Sequence, residues 1–251
     1  MEAKKLFKKT IKSAFRRMGF RISKISYSDN SVDPFDELVN LAKTISTPII
    51  FDGGAYIGEV SKEFRKRFPS STVYAFEPFE DSYFKLVENT KEDSQIKSLN
   101  LGFSDKGGKI KFHSNKSAAT NSLLPTDENG VEVWGDDSSL TKQVVEAKFV
   151  TIEEFLLEEG IPHIDILKLD IQGAECPVMK AAENLCNSGR IKIVYSEIIT
   201  QPSYESQPSF HEFLAVFNRL GFGLHNIYNL SVTPKGVLRA ADAIFVHNSH
   251  G

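Results

Sequence analysis

The sequence predicts an α/β domain built on a mostly parallel sheet. Short apolar runs that suit buried strands alternate with segments in which apolar residues recur every three or four positions, as on helices. In the clearest example, the run Ile49–Phe51 leads through a glycine-rich turn into a helical pattern with Val60 and Phe64. Strand, tight loop and helix in this order are typical of an α/β nucleotide-type site. The length of 251 residues suits one such domain with appendages.

Residues 1–24 are predicted to form a basic helix that precedes this domain. They carry nine lysines and arginines against the single acid Glu2, and one face is apolar, with Phe7, Ile11, Phe15, Met18 and Ile22. One hypothesis places this helix on an anionic membrane surface. The alternative docks its apolar stripe on the domain or on a second subunit of a homo-oligomer. We therefore expect residues 1–33 to be a basic segment with a linker, and residues 34–251 to be the folded domain.

The overall composition excludes several classes of protein. The net charge is −3, which gives no global reason to expect a nucleic-acid partner. No apolar run reaches the roughly 20 residues that cross a bilayer, and residues 1–24 lack the continuous apolar core of a signal peptide. The two cysteines, Cys176 and Cys186, fall ten positions apart on one predicted helix, too far for a disulfide. We expect a cytoplasmic protein, peripheral at the inner membrane face if the basic helix binds lipid.

After the glycine-rich loop, strands and helices continue to alternate along the chain. A helix from residue 59 ends at Phe68, because Pro69 resists helix continuation. Thr151 and Glu154 form a capping box that starts another helix. The segment 113–142 is polar and irregular, and we interpret it as a mobile segment on the substrate side of the domain or a plain surface insertion. The further strands are predicted at 72–76, 96–103, 144–150, 164–169, 191–195, 223–228 and 243–246.

Acids at the ends of the first two strands indicate which ligand the loop binds. The spacing from Gly54 to Gly58 is G-x-x-x-G, which differs from the G-x-G-x-x-G of dinucleotide sites. A carboxylate at Asp52 would repel a pyrophosphate and suit a cationic ligand such as S-adenosylmethionine. Glu77 is placed to accept hydrogen bonds from a ribose diol, a device that NAD enzymes share. The alternatives are a helix cap for Asp52 and a surface acid for Glu77.

Three motifs resemble those of the FkbM family of S-adenosylmethionine-dependent methyltransferases. They are D-G-G-A-Y-I-G at 52–58, F-E-P at 76–78 and L-K-L-D-I-Q-G-A-E at 167–175. The resemblance implies a Rossmann-like class I methyltransferase sheet, mostly parallel, that closes with a C-terminal antiparallel hairpin. The chain departs from the family at Gln172, where the family often has an acid.

The resemblance also implies which residues hold the cofactor. Ser104 and Asp105 follow the third strand and correspond to adenine contacts, although Asp-Lys-Gly-Gly also suits a hairpin turn without a ligand. Asn121 and Ser122 are the expected polar contacts of the substrate-side segment. The other expected cofactor-binding residues are Asp52, Gly53, Gly54, Ala55, Tyr56, Gly58, Glu77 and Pro78.

Two acids are candidates for the chemistry of methyl transfer to oxygen. Asp170, at the end of a central strand, is the first candidate for a general base. Glu175 is the second, and the pair would also offer oxygen ligands to a divalent cation. The alternatives are that Asp170 orients the turn or the cofactor, and that Glu175 only complements a helix dipole. The expected acceptor is a hydroxyl of a sugar, glycan or related natural product. A non-catalytic scaffold and a nucleotide-dependent oxidoreductase remain as alternative functions.

Overall fold

A seven-stranded sheet forms the centre of the fold, and the glycine-rich loop leaves it from β1, the neighbour of the middle strand. The structure is a computed structural model that describes residues 33–127, 130–134, 137–201, 203–233 and 235–250. The strand order is β3-β2-β1-β7-β8-β10-β9. The first five strands in this order run parallel, and the last two are antiparallel to their neighbours. This confirms the predicted mostly parallel sheet with an antiparallel C-terminal hairpin.

The N-terminal half alternates strands and helices as the sequence predicts. Helix α1 (Pro34–Leu41) starts at Asp33, whose side chain caps it, and precedes β1 (Ile49–Gly53). The chain continues through α2 (Glu59–Arg67), β2 (Thr72–Phe76), α3 (Glu80–Thr90) and β3 (Ile96–Leu99). Helix α2 stops before Pro69 because proline has no backbone N–H to continue the hydrogen bonding.

A second, three-stranded sheet was not predicted. The expected strand 96–103 divides into β3 and the separate β4 (Gly102–Phe103). Strand β6 (Thr141–Val150) pairs with β4 in parallel and with β5 (Gly108–Asn115) in antiparallel register. The segment 113–142, expected to be irregular, therefore begins and ends in strands. Between them, a 3-10 turn at Ala118–Thr120 and the short helix α4 (Gly130–Trp134) break up the loop.

The C-terminal half supplies the far side of the sheet. It comprises α5 (Ile152–Glu158), β7 (Ile164–Leu169), α6 (Glu175–Ala181), α7 (Glu183–Asn187), β8 (Ile191–Ile199), α8 (Phe210–Arg219), β9 (Phe222–Val232) and β10 (Leu238–His247). The predicted capping box of Thr151 and Glu154 forms. The single helix predicted to carry both cysteines is wrong, since Ala182 leaves helical geometry and separates α6 from α7.

Buried aromatic rings support the strand ends that carry the acids. Phe51 of β1 packs against Phe76 of β2, with ring centroids 5.2 Å apart, and Phe76 packs against Phe103 of β4 at 4.2 Å. These rings are fully buried or nearly so. Burying such large apolar side chains contributes on the order of 1.5–3 kcal/mol each, so these rings stabilise the strand ends beneath the glycine-rich loop.

The basic helix expected at residues 1–24 lies outside the described residues. Among the helices that the structure does describe, none has both the length and the apolar character needed to cross a bilayer.

Candidate active site

The glycine-rich loop turns tightly between β1 and α2 because three of its residues have left-handed backbones. Gly54, Tyr56 and Gly58 have φ values of 76°, 50° and 89°. A Cβ at Gly54 would lie 2.0 Å from the carbonyl oxygen of Asp170, a distance that no side chain tolerates. Glycine at this position therefore lets the loop pass directly against the end of β7.

Glu77 holds the loop from the neighbouring strand. Its Oε2 accepts a hydrogen bond from the backbone N–H of Tyr56, and its Oε1 accepts one from Phe79, both at 2.9 Å. The residue is only 6% exposed, and this burial raises the pKa of Glu77 to about 7. Each carboxylate oxygen has a further lone pair, so Glu77 is still able to accept the hydroxyls of a ribose.

Asp52 lies behind the loop, where it pairs with Lys168 of β7. Its Oδ2 accepts a hydrogen bond from Ser61 at 2.6 Å, and its Oδ1 lies 3.2 Å from the Lys168 ammonium. Both side chains are buried. Because Lys168 balances its charge, Asp52 does not present the free carboxylate that the sequence argument assumed, and its contact with a cofactor stays a prediction.

Lys168 is a site residue that the sequence analysis missed. Its ammonium donates to the carbonyl oxygens of Gly54 at 2.9 Å and Gly53 at 3.4 Å, and it lies 3.6 Å from Asp170. Burial alone would lower the pKa of Lys168, but the nearby carboxylates, chiefly Asp52 and Asp170, raise it above its usual value. The signal in the sequence was a lysine inside a strand whose other residues are apolar except for Asp165.

Asp170 ends β7 and belongs to a hydrogen-bonded group of side chains. Gln172 donates one amide hydrogen to Asp170 Oδ1 and the other to Glu197 Oε2, each at 2.8 Å. The carbonyl oxygen of the same amide accepts the Tyr204 hydroxyl at 2.6 Å. Burial, and then the neighbouring Asp170, raise the pKa of Glu197 well above its usual value. Asp170 itself keeps 41% of its side chain exposed, so a reactant can reach it.

Glu175 has a different environment from Asp170. Its Oε1 accepts hydrogen bonds from the backbone N–H groups of Ile171 at 3.0 Å and Gly173 at 3.4 Å. The side chain is buried, and burial raises its pKa to about 7. These contacts support the turn after β7. Among the residues that the structure describes, no group of three or more His, Cys, Asp or Glu side chains is arranged to hold a metal ion, so the divalent cation is not supported.

A cavity of about 170 Å³ opens at the carboxyl ends of β1, β2 and β7. One side is formed by the loop and the strand ends, and the other by the small sheet and the segment 118–123. The expected site residues among its walls are Gly54, Ala55, Tyr56, Glu77, Pro78, Asn121 and Asp170. Further walls come from Glu59, Val60, Gly102, Phe103, Phe112, Ala118, Ala119, Leu123, Phe149, Lys168, Ile171 and Gln172.

Several predicted site residues do not line this cavity. Gly53 belongs to β1, and Gly58 turns the chain into α2. Asp52 bonds Ser61 behind the loop, and Glu175 bonds the turn after β7. Ser104 is buried and donates its hydroxyl to the Lys106 carbonyl, while Asp105 is exposed to solvent. Their proposed contact with adenine therefore has no counterpart in the cavity wall. Instead, the apolar residues Phe112 of β5 and Phe149 of β6 line the cavity, although no sequence pattern assigned them to the site.

The residues present fit S-adenosylmethionine. Glu59, Glu77 and Asp170 outnumber Lys168 among the charged residues of the cavity wall, which favours a ligand with a sulfonium and an ammonium group. Because Gly54 has no side chain, such a ligand is able to come close to the backbone of the loop. Glu77 is placed for the ribose of this ligand. The apolar rings of Phe112 and Phe149 suit a flat base.

The known proteins that this chain resembles are named as methyltransferases, in agreement with the fit of the cavity to S-adenosylmethionine. A methyltransferase named sdnD from Sordaria araneosa is 28% identical over 59% of this chain and 65% of its own length. The 2-O-methyltransferase NoeI from Sinorhizobium fredii is 24% identical over 64% of this chain and 67% of its own. The hexuronic acid methyltransferase AglP from Haloferax volcanii is 28% identical over 49% of this chain and 46% of its own.

These relatives share only part of their length with this chain, since it spans about two thirds of the first two and under half of the third. The family described as "Methyltransferase FkbM domain" matches residues 52–224, which include the glycine-rich loop, Glu77, Asp170 and every wall of the cavity. The chain thus belongs to the FkbM family of S-adenosylmethionine-dependent methyltransferases.

Proposed function

We propose that this protein methylates a hydroxyl group of a sugar, glycan or related natural product. The observation that carries the proposal is the position of Asp170. It lines the cavity, keeps 41% of its side chain exposed, and has a hydrogen-bond donor on Oδ1 and the Lys168 ammonium 3.6 Å from Oδ2. A carboxylate held in this way can meet both the cavity and an acceptor that arrives from solvent.

The chemistry follows from what each side chain is able to do. When bound, S-adenosylmethionine would supply a methyl group from its sulfonium, and the S–CH3 bond that breaks would leave S-adenosylhomocysteine. Asp170 accepts the proton that the acceptor hydroxyl loses as its oxygen forms the new bond to carbon. Glu77 and the loop orient the cofactor, and the segment 118–123 shields the cavity from water. Glu175 stabilises the turn that carries Asp170, so we assign the role of base to Asp170 alone.

The named relatives support oxygen of a sugar as the acceptor. One relative is named for methylation of an oxygen at position 2, and another for methylation of hexuronic acid. A carboxylate that lines the cavity and stays 41% exposed, as Asp170 does, is able to accept a hydroxyl of such a partner.

Calorimetry of the full-length protein tests the cofactor. Titration with S-adenosylhomocysteine is expected to give saturable binding, and titration with NADH none. Binding of NADH alone would favour the oxidoreductase alternative, and binding of neither ligand would favour a scaffold.

Transfer of a labelled methyl group to a panel of neutral glycosides, amino sugars and uronic acids then tests the reaction. We expect Asp170→Asn to lower turnover by about 10²- to 10⁴-fold, the usual contribution of a general base, with little change in S-adenosylhomocysteine affinity. Asp105→Asn is the matched control, because Asp105 is exposed and outside the cavity. Turnover that survives Asp170→Asn excludes this residue as the base.

A further inference from the structure

The segment 118–123 is fixed over the cavity by hydrogen bonds to distant parts of the chain. The Ser122 hydroxyl donates to the backbone carbonyl of Gln172 at 2.7 Å. The Tyr204 hydroxyl, whose one hydrogen is shared with the side-chain oxygen of Gln172, lies 3.2 Å from the carbonyl oxygen of Thr120. Asn121 lies between these two anchors and lines the cavity, so its position is set by its neighbours on both sides.

Asn121 presents a buried hydrogen-bond donor that the described residues leave without a partner. Its Oδ1 accepts the backbone N–H of Asn115 at 2.7 Å, which fixes which end of the amide is oxygen. The Nδ2 group is buried and has no hydrogen-bond partner in the part of the chain that the structure describes. The residue is only 9% exposed. Leaving such a donor unsatisfied costs about 1–3 kcal/mol, so a native structure normally supplies a partner for it.

The neighbours of Asn121 indicate the chemistry of the missing partner. Leu123 packs against the cluster of Phe112, Ala147 and Phe149, which also contacts Phe79. A Cβ at Gly102 would meet the Phe149 ring at 2.4 Å and Pro78 at 3.0 Å, so this apolar wall continues directly to the residue after Glu77. The wall lies where a base attached to a ribose at Glu77 would extend, and a flat heterocycle with ring nitrogens both fills it and accepts a hydrogen bond.

We propose that Asn121 binds the adenine ring of the cofactor, with Nδ2 donating to a ring nitrogen. This inference rests on the proposed function, because it assumes that the cavity holds an adenosyl cofactor. It assigns to Asn121 the recognition of adenine that the sequence had placed on Ser104 and Asp105. The segment 118–123 then acts as a clamp on the base, while the acceptor approaches from the exposed side of Asp170.

Calorimetry with two ligands tests this assignment on the full-length protein. S-adenosylhomocysteine carries the whole cofactor skeleton, and 5′-methylthioadenosine carries the adenosine half without the amino acid. Asn121→Ala is expected to weaken both ligands by the same factor, about tenfold for one lost hydrogen bond to a buried group. A loss for S-adenosylhomocysteine alone would move the contact to the amino-acid half and overturn the assignment. Unchanged affinity for both ligands would also overturn it.

Two further variants distinguish a direct contact between Asn121 and the ligand from a role of Asn121 in supporting the segment 118–123. Asn121→Asp retains an oxygen for the Asn115 N–H but lacks the donor, so at pH 8 it is expected to bind no better than Asn121→Ala. Asn115→Ala removes a side-chain bond to the Thr120 carbonyl and leaves Nδ2 in place, so it is expected to weaken the ligands less. Full binding by Asn121→Asp, or equal losses in Asn115→Ala, would show a purely supporting role. Failure of the wild type to bind either ligand would instead refute the proposed function.

Discussion

The ammonium of Lys168 lies 3.2 Å from the carboxylate of Asp52, and both side chains are buried beneath the glycine-rich loop. Lys168→Met leaves Asp52 as an unpaired buried charge and removes the donor to the Gly54 carbonyl. We expect a loss of about 3–5 kcal/mol in the free energy of unfolding, measured with urea.

Lys66→Met is the matched control for this variant. Lys66 is 72% exposed and pairs with Glu63 on the surface of α2, and such pairs contribute less than about 1 kcal/mol. Adding Asp52→Asn to Lys168→Met is expected to recover part of the lost stability, because the unpaired charge disappears. Equal, small losses for Lys168→Met and Lys66→Met would contradict a structural role for the buried pair.

Gly54 and Gly160 allow the steric effect in the loop to be separated from backbone strain. Both have left-handed backbones, with φ values of 76° and 65°. A Cβ added to Gly54 would lie 2.0 Å from the carbonyl oxygen of Asp170, whereas a Cβ added to Gly160 would have no atom within 4 Å. Gly160→Ala is expected to cost about 1–2 kcal/mol for the left-handed conformation alone. Gly54→Ala is expected to cost clearly more and to abolish S-adenosylhomocysteine binding. Similar unfolding midpoints for the two variants would argue against the close approach.

Sequence analysis predicts those features of the site that depend on residues close together in the sequence. Glycine spacing and an apolar run followed by an acid are local patterns, and they predicted the loop after β1 and the positions of Glu77 and Asp170 directly after β2 and β7. Lys168 acts on the Gly54 carbonyl, 114 positions away, and no local pattern reports such a contact. The small sheet escaped prediction for the same reason, since Gly102 pairs with Phe149 across a long polar segment.

Glu77 gives the stability of the protein a specific dependence on pH. Burial raises its pKa from 4.5 to about 7 in the folded protein, so the folded state retains a proton that the unfolded state has released. The stability that Glu77 contributes is therefore present below about pH 4.5 and lost as the pH rises through about 7. Compared with Glu77→Gln, the wild type is expected to lose about 3 kcal/mol of its free energy of unfolding between these two pH values, because each unit of pKa shift corresponds to about 1.36 kcal/mol.

Urea unfolding of the wild type and Glu77→Gln across this pH range measures the difference. Glu175 and Glu197 also have raised pKa values, but both proteins contain them, so their contributions largely cancel. A constant difference in stability between the two proteins would mean that Glu77 is ionised throughout.

Gln172 orients Asp170 through its side-chain amide. One amide hydrogen bonds the Asp170 carboxylate and the other bonds Glu197, each at 2.8 Å. If Asp170 is the base, Gln172→Met is expected to lower turnover about tenfold, because Asp170 loses the hydrogen bond that holds its carboxylate in place.

The matched control for Gln172→Met is Tyr204→Phe. It removes the bond to the Gln172 carbonyl oxygen and leaves both amide hydrogens on the carboxylates, so its turnover should fall less. The affinity of Gln172→Met for S-adenosylhomocysteine should stay near that of the wild type, because the lost hydrogen bond acts on Asp170 and not on the cofactor. Equal losses of turnover in the two variants, or a parallel loss of affinity in Gln172→Met, would instead show that Gln172 only supports the fold around the site, because a defect in packing does not act on turnover alone.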